Sequence, residues 1–211
     1  MSNGNTIPAI ANSTIGILGS GQIGSAFARA LARVGIRAVI ANSRGAESLT
    51  DLVAEIGNTL RGGTREEAAS QDIVLIAVPW LKLPGALAGL PEFGGRIVID
   101  ANNAIEPPLF RPADLHGRPS SEIVAEYVPG ARLVKAFNHL PAALVASDPA
   151  AEGGRRIAFF SGDDEDAKTQ IGALIERLGF FGIDLGTLAG GGLLAQVPSG
   201  PLAVHNLIKF G

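Results

Sequence analysis

From residue 14 onward the apolar positions fall into short runs separated by amphipathic stretches. Residues 14–18 form a β-rich run that leads directly into Gly19-Ser-Gly21-Gln-Ile-Gly24. Behind it, Ile23, Phe27, Ala30, Leu31 and Val34 recur at the spacing of one helix face. Residues 37–41 predict a second strand. Leu49, Leu52, Val53 and Ile56 mark the inner face of a second helix, and a short third strand fits near 59–61. Thr64 stands three residues before Glu67, the spacing of a capping box at a helix start. Residues 72–79 give the clearest buried strand, an unbroken apolar run headed by one acid, and 96–100 give the next.

The second half reads less regularly. Residues 105–119 are proline-rich and predict an irregular connection, either a loop over a site or a plain link. A short capped helix is expected over 120–127, then strands over 132–137 and 156–161. Ala167, Ile171, Leu174, Ile175 and Leu178 line a further helix. Gly179 stops it, and 180–185 form a last strand. The apolar, glycine-rich tail, 186–211, is expected to fold over a ligand crevice or to pair with a second subunit.

Strand, glycine turn and helix in that order are the context a dinucleotide fingerprint requires. Gly19 permits the tight turn, Gly21 lets backbone approach a pyrophosphate, and Gly24 lets the helix lie on the strand. Ser20, Gln22 and Ile23 complete the loop, and the helix start offers free N–H groups to phosphate. The fold class is α/β: a single doubly wound Rossmann-type domain, 1–211, with a mainly parallel sheet and a C-terminal strand/helix extension. Its dinucleotide-binding core is placed at 13–137 and its acceptor and dimer part at 138–211.

The next segments refine the ligand. After the second strand come Asn42, Ser43 and Arg44, where an acid would bind the ribose hydroxyl of NAD. With no acid there, Ser43 and Arg44 suit the 2′-phosphate of NADP(H). Ala77, Val78, Pro79 and Trp80 end the fourth strand at the same crevice, and Trp80 either flanks a ring or packs. Ala101, Asn102 and Asn103 follow the fifth, where the two amides serve a ribose, a nicotinamide carboxamide or a turn. Asn138 and His139 end a later strand and are the catalytic candidates, for polarising an acceptor. Four acids at 163–166 complement a helix start, and no metal site is expected.

Composition narrows the partners. The 211 residues carry a net charge of −3 with no basic block, which disfavours nucleic acid and anionic membrane. No apolar run is long enough to span a bilayer, and residues 1–12 read as a frayed lead-in rather than a signal peptide. The absence of cysteine excludes disulfides and thiolate sites and suits a reducing compartment, so a cytoplasmic protein is expected. Tyr127 is followed four residues on by Ala131, so no Tyr-x-x-x-Lys pair exists. The lack of an obvious acid–base pair favours an acceptor that takes a hydride directly.

The ordered set Gly19-Ser-Gly-Gln-Ile-Gly24, Asn42-Ser-Arg44, Val78-Pro-Trp80, Lys135-Ala-Phe-Asn-His-Leu-Pro-Ala142 and Gly162-Asp-Asp-Glu-Asp166 resembles the coenzyme F420-dependent NADP oxidoreductase family. Gly200-Pro-Leu-Ala-Val-His-Asn206 also looks like its bacterial relatives. The resemblance implies NADP on the glycine loop, Ser43 and Arg44 at its 2′-phosphate, and a deazaflavin near Pro79, Trp80 and 138–141. The chain departs from the archaeal members there, with Asn138-His139 where they carry a His-Thr pair. The expected partner is thus a small hydride acceptor, F420 or a flavin foremost, with a metal chelate or a small carbonyl compound also open, and a homodimer is expected from the tail. The alternatives are a non-catalytic NADP(H) sensor and a reductase of a small ketone or imine.

Overall fold

The glycine-led unit forms as its pattern predicts. β1 (Ile15–Leu18) runs into α1 (Gln22–Arg33), and β2 (Ala38–Ala41) pairs in parallel with β1, Ile15 opposite Ala38. The structure, a computed structural model, describes residues 13–211; the expected lead-in at 1–12 lies outside them. A 3-10 turn (Ala46–Leu49) and α2 (Thr50–Ile56) lead to β3 (Leu60–Gly62). The predicted capping box holds α3 (Arg65–Ala69): Thr64 Oγ1 accepts from the Glu67 N–H, and the Glu67 carboxylate accepts from the Thr64 N–H. β4 (Ile73–Ile76) and β5 (Ile97–Asp100) are buried along their whole length, with α4 (Leu83–Leu87) between them. The acid heading β4 has a local task. Asp72 accepts from both the N–H and the hydroxyl of Thr14, pinning the starts of β1 and β4 together.

Beyond β5 the chain is more ordered than its prolines suggest. Residues 105–112 form a two-stranded ribbon, β6 (Ile105–Glu106) with β7 (Arg111–Pro112), rather than an irregular link. α5 (Ser120–Tyr127) follows, but Pro119 holds the N-cap position and no side chain caps it. Ser120 and Ser121 turn inward instead and are buried. β8 (Arg132–Ala136), α6 (Ala142–Ala146), β9 (Arg155–Gly162), α7 (Glu165–Arg177) and β10 (Phe181–Asp184) complete the main body. The tail forms α8 (Gly191–Leu194) and β11 (Ile208–Lys209). Among the described residues no helix is long and apolar enough to cross a membrane.

The sheet order is β3-β2-β1-β4-β5-β8-β9-β10, with β11 on β9. All main pairings are parallel except β8 with β9, and β11 is antiparallel to β9. This is a mainly parallel, doubly wound Rossmann-like sheet. Alternate strand residues feed two cores, as burial of both faces requires. Ile17, Leu75, Ile99 and Val134 pack with Phe27, Leu31, Ile171 and Leu174 on one side; Ile76, Val98 and Leu133 pack with Leu83, Leu87 and Val124 on the other. Strand order reverses between β2-β1 and β1-β4, so the ligand crevice opens beyond the carboxyl end of β1.

Gly16 is the tightest point of this body. A Cβ there would overlap the backbone carbonyl of Ala68, where α3 crosses β1. At Gly21 an added Cβ meets nothing within 4 Å. Gly16→Ala is therefore expected to lower unfolding free energy by about 2–3 kcal/mol. Gly21→Ala should change it by less than about 1 kcal/mol. Urea denaturation of the two variants beside the parent checks the contrast.

Candidate functional site

The glycine turn is shaped by its neighbours. Gly19 sits at φ 110°, its N–H donates to the Ala41 carbonyl at 2.8 Å, and a Cβ on it would overlap the Ala77 carbonyl. A Cβ on Gly24 would overlap the Gly19 carbonyl, so α1 rests directly on the turn. No such protein contact accounts for Gly21. It is the N-cap of α1, without a side-chain cap and with no acid in the first turn, so the leading N–H groups stay open to an anion. Gln22 is exposed. Ile23 packs against the core and can serve a ligand through its backbone. Ser20 Oγ accepts from Asn42 Nδ2 at 2.9 Å, which ties the turn to the end of β2.

Asn42 organises that end. Its second Nδ2 bond goes to Ser48 Oγ, and its Oδ1 accepts from the Arg44 N–H at 2.8 Å. Its amide is thus engaged by protein, while Ser43 and Arg44 are exposed beyond it. Among the described residues Arg44 forms no ion pair.

At the ends of β4 and β5, Val78 N–H donates to Asn102 Oδ1 at 3.1 Å. Ala77 is half-buried and Pro79 exposed. Trp80 packs, one of the two roles expected of it. It packs against the core near Leu83, and it lines a cleft of about 320 Å3 with Leu115, Ile123 and Tyr127. Ala101 corrects the sequence reading: its side chain is in the core and its N–H donates to the Ile76 carbonyl, so no side-chain contact with a ligand is open to it. Asn103 acts as a clamp. Its Nδ2 donates to the Asn138 carbonyl at 2.7 Å, and its Oδ1 accepts from Asn138 Nδ2 and from the Val197 N–H.

The two catalytic candidates are placed differently from expectation. Phe137 adopts φ 62° and fits between Phe27 and Phe180, which breaks the alternation of β8. Asn138 then lies beside Asn103, but both its N–H bonds are engaged, one with Asn103 and one with the Ala195 carbonyl at 2.9 Å. His139 is turned away altogether. It is fully buried against Phe159, its Nε2 accepts from the Phe159 N–H at 3.4 Å, and its Nδ1 has no partner. Burial pushes its pKa down to about 4, with the Ile157 backbone opposing by less. An imidazole enclosed against Phe159 does not face the crevice, so the structure does not support the catalytic reading of His139.

The tail folds back onto this end of the sheet. Ala195 and Val197 bind Asn138 and Asn103, and Gln196 Oε1 accepts from Ser120 Oγ. Arg156, almost wholly buried, holds the last stretch through Asn206 and also binds Ser147 and Glu152. Of the acids at 163–166, Asp164 caps α7 by accepting from the Ala167 N–H, Glu165 and Asp166 lie in its first turn, and Asp163 instead accepts from the Leu188 N–H of the tail. The larger cavity, about 670 Å3, opens at the opposite end of β1–β3 beside Arg37 and Asn58 and is no part of this crevice.

Comparison with known proteins now adds to this geometry. Residues 14–104 match the family described as NADP oxidoreductase, coenzyme F420-dependent. A hypothetical protein from Sinorhizobium meliloti is 45% identical, with 94% of this chain and 97% of that chain covered and a TM-score of 0.90. The likeness to that family covers the glycine turn and the strands from β1 to β5. A proposed F420-dependent NADP reductase from Arthrobacter sp. FB24 shares the fold at 24% identity and a TM-score of 0.68, with 83% of this chain and 86% of that chain covered. Metalloreductase STEAP3 of Rattus norvegicus is 26% identical over 185 residues, 87% of this chain, and the chain spans 36% of its length.

Sequence reading missed Asp100, Lys135, Ser120 and Ser121 as parts of the candidate site. Lys135 Nζ lies 2.9 Å from Asp100 Oδ2 and also donates to the Asn102 carbonyl and to Ser120 Oγ. Ser121 Oγ donates to the same carboxylate at 3.0 Å. The signal was present: lone charges in buried parallel strands need partners.

His139 makes stability pH-dependent. The unfolded chain takes up a proton near pH 6.5, the folded one only near 4, so acidification favours unfolding across that window. The loss should approach about 3 kcal/mol by pH 4 and grow no further from this group below it. Urea midpoints at pH 7 and 4.5 should differ less for His139→Leu than for the parent.

Proposed function

We propose that the protein is an NADP(H)-dependent oxidoreductase that moves a hydride between the nicotinamide and a flat acceptor, with coenzyme F420 or a flavin as the leading candidates. The observation that carries the reading is an open glycine at the α1 start beside an arginine that no described acid neutralises. Among the described residues nothing explains the missing side chain at Gly21, whereas an approaching pyrophosphate does. The residues fit NADP(H). The backbone of 19–24 would take the pyrophosphate, Ser43 and Arg44 the 2′-phosphate, and Asn102 the nicotinamide ribose or carboxamide. Ala77, Val78, Pro79 and the Ala101 backbone would flank it. When bound, the nicotinamide supplies or accepts the hydride.

The protein's own groups favour an acceptor that needs no enzymatic proton. His139 is buried and neutral, and Lys135 has its three N–H bonds engaged. Asn138 is assigned to shaping the acceptor pocket by holding the tail against Asn103. We retain 13–137 as the cofactor core and 138–211 as the acceptor and dimer part. Leu193, Leu194 and Phe210 are exposed on the tail as the face a second copy would cover. The likeness to a metalloreductase supports keeping ferric chelates among the acceptors assayed.

NADPH oxidation with F420, FMN, FAD and ferric chelates, run beside NADPH titration, tests the reading. Turnover is expected with F420 or a flavin; tight NADPH binding without turnover on any of the four would make the protein a sensor instead. Arg44→Ala should weaken NADPH binding by roughly 10- to 100-fold while NADH changes by less than about 3-fold. Equal weakening of both would remove the preference for NADP. Gly21→Ala should fold normally yet lose at least about 10-fold in NADPH affinity.

A further inference from the structure

Two opposite charges lie side by side beneath the crevice. Asp100 is 0% exposed and Lys135 2%, in register across β5 and β8. Taking two ions out of water is costly, and a well-packed apolar pair would join these strands as firmly. The particular effect of the pair is on a loop. Asp100 Oδ1 accepts from both the N–H and the Nδ2 of Asn102, at 2.9 and 3.1 Å. Lys135 Nζ donates to the Asn102 carbonyl at 3.0 Å. The backbone N–H, the carbonyl and the side chain of one residue are therefore all held by this pair.

The orientation of that side chain follows. A carboxylate only accepts, so Asn102 turns its Nδ2 to Asp100. The Val78 N–H only donates, so Asn102 Oδ1 turns to it at 3.1 Å. One N–H and one lone pair of the amide are left for a ligand between the ends of β4 and β5. Ser121 completes the shell of Asp100, and Ser120, bonded to Lys135, passes its own hydrogen bond to Gln196 in the tail.

We infer that Asp100 and Lys135 are positioning residues for the nicotinamide half of the cofactor, acting through Asn102; this rests on the NADP(H) reading above. They touch no ligand themselves. They fix where the Asn102 amide stands, so their removal alters recognition at the nicotinamide end and leaves the adenosine end intact.

The test compares NADPH with 2′,5′-ADP, which carries the adenosine end alone, by titration calorimetry. Lys135→Met by itself would strand a buried carboxylate, so the neutral double variant Asp100→Asn with Lys135→Met is used. Lys135→Arg is the second variant: it keeps the pair but displaces the donor from the Asn102 carbonyl. Either folded variant should bind 2′,5′-ADP within about 2-fold of the parent and lose about 10-fold in NADPH affinity. Asn102→Ala should show the same pattern, and combining it with the double variant should add no further loss. Unchanged NADPH binding, parallel loss of both ligands, or additive losses in the combined variant would each overturn the inference while leaving the proposed function standing. A parent protein that binds neither ligand would remove both.

Discussion

The crevice depends on how closely other backbone comes to β1. At Gly16 the α3 carbonyl of Ala68 occupies the space a side chain would need; at Gly19 the Ala77 carbonyl does so, and at Gly24 the carbonyl of Gly19 itself. Three approaches along one strand-turn-helix unit set the height of α3, the end of β4 and the tilt of α1 against a single reference. Packed interiors tolerate little displacement, so these approaches also set where the turn stands relative to Arg44 and Asn102. Gly21 is different because its open side faces away from every protein atom within 4 Å. The close approaches at Gly16, Gly19 and Gly24 thus belong to the fold, and among the described residues Gly21 has no such contact.

From that reference the polar groups form a chain rather than a set of separate contacts. Ser20 joins Asn42, Asn42 shapes the turn that presents Arg44, Val78 joins Asn102, and Asn102 joins Asp100 and Lys135. Asn103 and Asn138 extend it to the tail. Buried polar networks of this kind are costly when half satisfied and rigid when complete. This one is nearly complete, which suits a site whose chemistry resides in bound rings and whose protein need only hold them.

The match of residues 14–104 to an NADP oxidoreductase family and the geometry of the turn agree about the cofactor end. The acceptor end is where this chain goes its own way. The Asn138-His139 pair that looked like acceptor chemistry separates, one amide tying the tail and one imidazole enclosed against Phe159. At that end of the sheet the tail is instead held by the Asn103–Asn138 clamp.

Much of this was legible from local pattern. Strand runs, the capping box at Thr64 and the glycine turn are short-range features, each determined by neighbours within a few residues, and all formed where expected. A glycine inside the apolar run of β1 and lone charges in β5 and β8 announced that something must approach or pair, but not what. The partners of Gly16, Asp100 and Lys135 lie 52, 35 and 35 positions away and meet them only through sheet order and register. The same holds for His139. One left-handed residue, Phe137, imposed by its place between Phe27 and Phe180, decides which way the following side chains turn. The sequence by itself determined the elements, the turn and the residue types available at the crevice. The tertiary structure decided which of them face it, because burial and pairing are properties of the assembled sheet.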